Sequence, residues 1–300
     1  MVYKNSKTSK LKSATKKKSR STSSSKIKST KAGRPVRKKI AIVTGAGNGM
    51  GKDFAKVLDN IGLDEIWAVA YHQESLDSLK SQMKTKTVCF AIDLSDMENI
   101  DKVESRLEKE NPRITWLVNA AGFGKFDLYN NIKIDTSLNM IDLNCKAIVK
   151  ITDVCLKYMP RGARIVDFAS VSGFNPVPYG TLYAATKAFI LSYARGLNQE
   201  LKPKNISITC VCPFWVRTKF FERAVNPKNK VVKKYVVMYS SERVVKKAYN
   251  DALMRKELSI YGAFSNIQVF MTKLLPASVV MKIWLKQQKL ETPKKQVKEN

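Results

Sequence analysis

Residues 39–54 read Lys39-Ile40-Ala41-Ile42-Val43-Thr44-Gly45-Ala46-Gly47-Asn48-Gly49-Met50-Gly51-Lys52-Asp53-Phe54. The first six form a β-branched, apolar run, the pattern of a strand buried on both faces. The seven that follow hold four glycines and read as a tight turn. Beyond them Phe54, Val57, Leu58 and Ile61 share one side of a helix predicted over 52–61. A buried strand that runs through a glycine turn into a helix is the opening unit of an open α/β sheet. In that setting the glycines let backbone approach a phosphate, and the helix N–H groups face it. The glycine spacing is TGxxxGxG, not GxGxxG, with Thr44, Gly45, Gly49 and Gly51 in register.

The alternation continues along the chain. Strands are predicted at 66–70, 87–92, 114–118, 164–168 and 207–212. Helices fall at 74–83, 97–110, 136–159 and 183–201. A further helix over 243–255 follows Ser240 as its N-cap, and Ile260-Tyr261 reads as the last strand. Strand and helix alternating at this spacing means βαβ units and a parallel sheet, with right-handed crossovers.

The 300 residues carry 54 Lys and Arg against 25 Asp and Glu, a formal charge of +29. The excess is uneven: residues 1–39 hold 15 basic and no acidic residues. Residues 1–38, rich in Lys, Ser and Thr, cannot bury enough apolar surface to offset chain entropy and read as a disordered tail. Solvation alone and docking on an anionic membrane or nucleic acid all remain open for it, although the lack of interleaved aromatics argues against nucleic acid. A hydrophobic content of 44% excludes a wholly disordered chain. Five scattered cysteines without CxxC spacing suit a reduced, cytoplasmic compartment. His72 is the only histidine, which argues against a Ser-His-Asp triad or a His-based metal site. No stretch is long and apolar enough for an ordinary transmembrane helix.

Further polar residues stand at strand ends: Asp93 and Leu94 after the third, Asn119-Ala120-Ala121-Gly122 after the fourth, Ser170 after the fifth. Tyr183 and Lys187 are four residues apart on one helix face. Ser170 lies thirteen residues before Tyr183, with Ser172 as a competitor at the same strand end. With Asn144, this set resembles the short-chain dehydrogenase/reductase (SDR) family over about residues 38–265.

The resemblance implies a Rossmann-like, doubly wound α/β fold with a mostly parallel, seven-stranded sheet flanked by helices. It implies hydride transfer between a nicotinamide cofactor and a carbonyl/alcohol pair. Tyr183 would be the general acid/base, its phenol made more acidic by the Lys187 ammonium. Ser170 would polarise the carbonyl, and Asn144 would hold a proton-relay water. Thr44, Gly45, Asn48, Gly49, Met50, Gly51, Tyr71, Asp93, Leu94, Asn119, Ala120 and Gly122 would contact the dinucleotide. So would Tyr183, Lys187 and the Cys212–Thr218 segment, through Pro213, Val216 and Thr218. In that segment Phe214 replaces the family's usual glycine. The second strand ends in Ala70-Tyr71-His72-Gln73 with no acid at its tip, which favours NADP over NAD.

Phe174, Tyr179, Phe214 and Trp215 are expected at the substrate wall, and their bulk suits a lipophilic carbonyl such as a ketosteroid or 3-ketoacyl group. The family commonly forms homo-oligomers. Residues 266–300 read as a basic, amphipathic extension, either packed on the core or a partner subunit or, with the tail, a peripheral contact to an anionic bilayer. Two other readings of the chain are a non-catalytic protein on the same fold and a tail-driven membrane or nucleic-acid adaptor.

Overall fold

The computed structural model describes residues 37–225 and 231–290. The expected disorder of 1–38 falls almost entirely outside the described residues, as do residues 291–300 of the extension. Seven parallel strands form one sheet in the order β3-β2-β1-β4-β5-β6-β9. They are β1 (Lys39–Thr44), β2 (Glu65–Ala70), β3 (Lys86–Ala91), β4 (Arg113–Asn119), β5 (Arg164–Phe168), β6 (Ser207–Val211) and β9 (Leu258–Ser259). The chain winds outward from β1 in one direction and from β4 in the other. The topological switch, where such sheets bind ligands, therefore lies at the carboxyl ends of β1 and β4. The register there pairs Thr44 with Asn119.

Strand alternation sorts the core into two layers. Ile40 and Ile42 point to one face, with Leu117 and Ile165. Ala41 and Val43 point to the other, with Val118 and Val166. The first face is covered by α3 (Met97–Glu110), α5 (Ala147–Leu156) and α6 (Thr181–Glu200). The second is covered by α1 (Gly49–Leu58), α2 (Gln73–Lys80) and α8 (Ser241–Leu253). Both faces of the strands are buried, which is why they read as continuous apolar runs.

Four details differ from the sequence reading. The helix α1 starts at Gly49, three residues earlier than predicted, its first turn closed by the Lys52 N–H donating to the Asn48 carbonyl at 3.3 Å. The helix predicted over 136–159 consists of α4 (Ile134–Ile141), a π-helical turn at Asp142–Lys146, and α5. The last strand is Leu258–Ser259, paired with Cys210 and Val211. Ile260 and Tyr261 instead cover the core, because Gly262 at φ 90° turns the chain into α9 (Ala263–Leu274). Finally, α9 and α10 (Ala277–Gln288) make a helical pair separated by Leu275-Pro276. Ser240 does cap α8, its hydroxyl accepting from the Arg243 N–H at 3.4 Å. The remaining elements are α7 (Phe220–Ala224) and a small parallel pair, β7 (Trp215–Arg217) with β8 (Met238–Ser240).

Under the switch point lies a buried polar pair. The Asn119 amide donates to Asp167 Oδ1 at 2.8 Å and to the Thr152 hydroxyl at 3.2 Å, tying β4 to β5 and α5. Asp167 Oδ2 and Asn119 Oδ1 have no partner. Burial pushes the Asp167 carboxyl up to about 6, against the Asn119 hydrogen bond and the Lys187 charge, which pull it down. A folded-state value above the unfolded one stabilises the fold in acid, and this contribution disappears as pH rises through about 6. The shift corresponds to roughly 3 kcal/mol. Asp167→Asn should therefore raise the melting temperature by several degrees at pH 8 and by clearly less at pH 5, as read by thermal denaturation. An equal change at both pH values would contradict a buried charge at this position.

Candidate active site

Three elements bring the polar residues together. Ser170 follows β5, Asn144 sits in the π-turn between α4 and α5, and Tyr183 and Lys187 project from α6. All four are at least nine-tenths buried. The Ser170 hydroxyl donates to the Pro213 carbonyl at 3.4 Å and accepts from the Ser172 N–H at 3.2 Å. It also hydrogen-bonds the Tyr183 phenol. The competing residue Ser172 lies on the same cavity wall, but its hydroxyl has no partner.

The electrostatics depart from the sequence expectation in one respect. Burial pushes the Tyr183 phenol up to about 12, while the Ser170 hydrogen bond pulls the other way. The Lys187 ammonium does not hold the phenol down here. Its Nζ donates to the Phe168 carbonyl at 2.7 Å and stands 5.7 Å from the centre of the tyrosine ring. Burial pushes Lys187 down to about 8, opposed by the nearby Cys210, Cys145 and Cys212 and by Asp167.

Asn144 is fully buried. Its Oδ1 accepts from the Phe123 N–H at 3.0 Å, and its Nδ2 donates to the Phe123 carbonyl at 2.9 Å and the Thr186 hydroxyl at 3.0 Å. The side chain thus pins the loop after β4 to α6, which makes Asn144 a positioning residue. Gly122 passes between: a Cβ there would meet Asn144 Oδ1 at 2.8 Å and Lys187 Nζ at 3.6 Å.

The glycine turn fits a pyrophosphate. Gly45 takes φ 67° and lies against the Ala120–Ala121 backbone, where a Cβ would come within 2.7 Å. A Cβ at Gly51 would reach the Gly45 carbonyl at 2.3 Å. The Thr44 hydroxyl accepts from the Ala120 and Ala121 N–H groups at 3.2 Å, locking the turn to the end of β4. The N-cap Asn48 is exposed and its side chain makes no cap bond. No acid stands in the first turn of α1, so its N–H groups and positive dipole end are free for an anion. The Thr218 methyl approaches Gly49, placing the end of β7 over this cradle.

Other expected dinucleotide contacts ring the same edge. Tyr71 is 65% exposed past β2, its ring edge-to-face on His72. The Asp93 carboxylate accepts from the Ser95 N–H and hydroxyl at 2.8 and 2.6 Å. Leu94 is buried in the core. Met50, Ala120, Gly122, Pro213, Val216 and Thr218 line the cavity beside Tyr183 and Lys187. Asn119 does not: its side chain faces Asp167, so only its backbone could serve a ligand.

The cavity measures about 480 Å³. Phe214 and Trp215 form part of its wall. Phe174 and Tyr179 do not. Phe174 packs on the first core layer, and Tyr179, at φ 65°, on the aromatic cluster around Phe126. Asn175 and Val177 take their places. The sequence reading missed the largest contribution, from α9 and α10, which supply Phe264, Met271, Val280 and Trp284. Trp284 donates to the Pro178 carbonyl at 2.9 Å, and the buried Gln288 amide bonds the backbone of Lys233 and Lys234. The apolar and basic pattern at 266–290 was visible, but nothing local indicated that it folds back over the site.

Comparison with known proteins agrees with this geometry. A family-wide profile described as "short chain dehydrogenase" matches residues 39–229. The chain is 31% identical over 263 residues to a very-long-chain 3-oxoacyl-CoA reductase of Danio rerio, covering 84% of this chain and 79% of the relative. A short-chain dehydrogenase from Sphingobium yanoikuyae, solved with NADPH, superposes with a TM-score of 0.65 at 24% identity, covering 87% of this chain and 98% of that one. A 3-ketoacyl-(acyl-carrier-protein) reductase from Brucella melitensis, solved with NADH, gives 0.63 at 20% identity, covering 75% and 96%. The strand order, the glycine turn and the Ser-Tyr-Lys grouping thus meet in a chain that belongs to the short-chain dehydrogenase family and is an NAD(P)-dependent oxidoreductase of carbonyl/alcohol pairs.

Proposed function

We propose that this enzyme reduces the keto group of a long, apolar 3-oxoacyl substrate, with Ser170, Tyr183 and Lys187 as catalytic residues and NADPH as the preferred donor. The observation that carries this reading is the Ser170–Tyr183 pair at the wall of an aromatic and aliphatic cavity. The relative from Danio rerio supports the substrate class.

The reductive direction follows from the choice of NADPH, a pool that cells usually keep reduced, and the phenol is in the form that reduction needs. Pushed up to about 12, Tyr183 stays protonated at neutral pH and is prepared to give a proton to a developing alkoxide. Ser170 donates to the same carbonyl oxygen and orients it. The Lys187 ammonium, on the next turn of α6 and bonded to the Phe168 carbonyl, would hold the nicotinamide ribose. When bound, nicotinamide supplies the hydride. The α1 N-terminus and Thr218 would hold its phosphates, and Tyr71 and Asp93 its adenosine end. The absence of an acid at the tip of β2 supports NADP. On the same family resemblance the enzyme is a homo-oligomer, and the exposed Phe189 on α6 suits such a contact. A lipophilic substrate also agrees with a peripheral position at a membrane; no helix among the described residues is long and apolar enough to cross one.

Tyr183→Phe should lower kcat for ketone reduction by about a hundredfold or more, with NADPH binding retained in a fluorescence titration. Unchanged turnover would remove the phenol from the mechanism. The pH dependence should follow Lys187, which is charged below its value of about 8. Reductive kcat/KM is expected to be level below that pH and to fall above it, and a profile level to pH 10 would exclude Lys187 as the controlling group. The ratio of kcat/KM for NADPH over NADH should exceed one; a clear preference for NADH would reverse the cofactor assignment. Across 3-oxoacyl substrates of rising chain length, kcat/KM should climb several-fold for each added pair of carbons until the cavity is filled. Trp215→Ala should penalise long chains more than short ones, and equal penalties would argue against an apolar substrate channel.

A further inference from the structure

Helices α9 and α10 have an outer surface that the active site does not use. Phe270 and Leu274 of α9 are 59% and 61% exposed and do not line the cavity. Ile267 and Ile283 do line it, yet are 61% and 54% exposed, so the cavity rim lies within the exposed stripe. At the helical repeat of about 100° per residue, both helices show the same order around their circumference. On α9 the cavity-facing Gln268 and Thr272 give way to Ile267, Leu274 and Phe270, then to Lys273. On α10 Val280 and Gln287 give way to Ile283 and Val279, then to Lys286 and Lys282. Residues 258–290 contain four lysines and no acidic residue.

Two occupants could cover such a face. A second copy docked symmetrically would set these lysines against their own counterparts, with no carboxylate in the segment to pair them. An anionic lipid surface satisfies both parts: acyl chains take the apolar stripe and headgroups take the lysines.

We propose that α9 and α10 form a docking face for an anionic phospholipid bilayer, and that the cavity opens through this face so that an acyl chain passes from the bilayer to Ser170 and Tyr183 without crossing water. The docking stands on the helices alone; the passage of substrate rests on the 3-oxoacyl reading above.

The test is flotation of the full chain with vesicles of phosphatidylcholine, with and without about 30% phosphatidylserine. Two variants leave the cavity wall untouched: Phe270→Asp with Leu274→Asp, and Lys273→Glu with Lys282→Glu and Lys286→Glu. The wild type should partition at least tenfold better onto the anionic vesicles. Each variant should lose about tenfold of that binding, keep its rate on a short, water-soluble 3-oxoacyl substrate, and lose rate on a long-chain substrate carried in the vesicles. Wild-type binding by both variants would overturn the docking face and assign the attraction to the basic tail. A smaller oligomer for the Phe270/Leu274 variant in sedimentation velocity would overturn it in favour of a second copy. Docking as described without turnover of either substrate would leave the face standing and remove the 3-oxoacyl assignment.

Discussion

The site depends on one buried joint, the Asn144 amide. It holds both polar backbone groups of Phe123 and reaches the Thr186 hydroxyl, which in turn donates to the Tyr183 carbonyl at 2.8 Å. The loop after β4, the π-turn and α6 are thereby fixed to one another. The π-turn has a reason in this arrangement: the widened turn at Asp142–Lys146 contains Asn144, whose amide is aimed between the loop and α6 rather than along the helix surface. Gly122 completes the constraint, since a side chain there would occupy the space between Asn144 and Lys187.

Around this joint the protein spends stability on buried charge. Asp167, Lys187 and the Tyr183 phenol are all removed from water, and burial moves each toward its neutral form. In a cavity of low polarity these groups interact more strongly than they would at a surface. The cost is carried by two large apolar layers on either face of the sheet. The aromatic cluster of Phe126, Tyr183, Trp215 and Phe220 then walls the phenol from solvent.

Much of this was legible locally. The buried strand and glycine turn of residues 39–51 announced the opening strand-turn-helix unit, and the four-residue step from Tyr183 to Lys187 placed both on one helix face. The direction of Asn119 follows from strand alternation: its neighbour Val118 faces the second layer, so Asn119 faces the side of Leu117 and cannot also face the ligand edge. Phe174 and Tyr179 were misplaced because bulk and position near a strand end do not say which of two apolar surroundings a ring will enter. The covering role of α9 and α10 was hidden for a related reason. An amphipathic pattern shows that a helix has an apolar face, not which partner takes it.

Sequence alone determined the order of strands and helices, the glycine turn after the first strand and the phenol–ammonium spacing. These are consequences of backbone sterics and side-chain periodicity over a few residues. Tertiary structure alone decided how acidic the phenol is, which side chains wall the cavity and where its rim opens. Those properties arise from burial and from contacts such as Trp284 to Pro178, across 106 residues of chain. No local pattern can carry them.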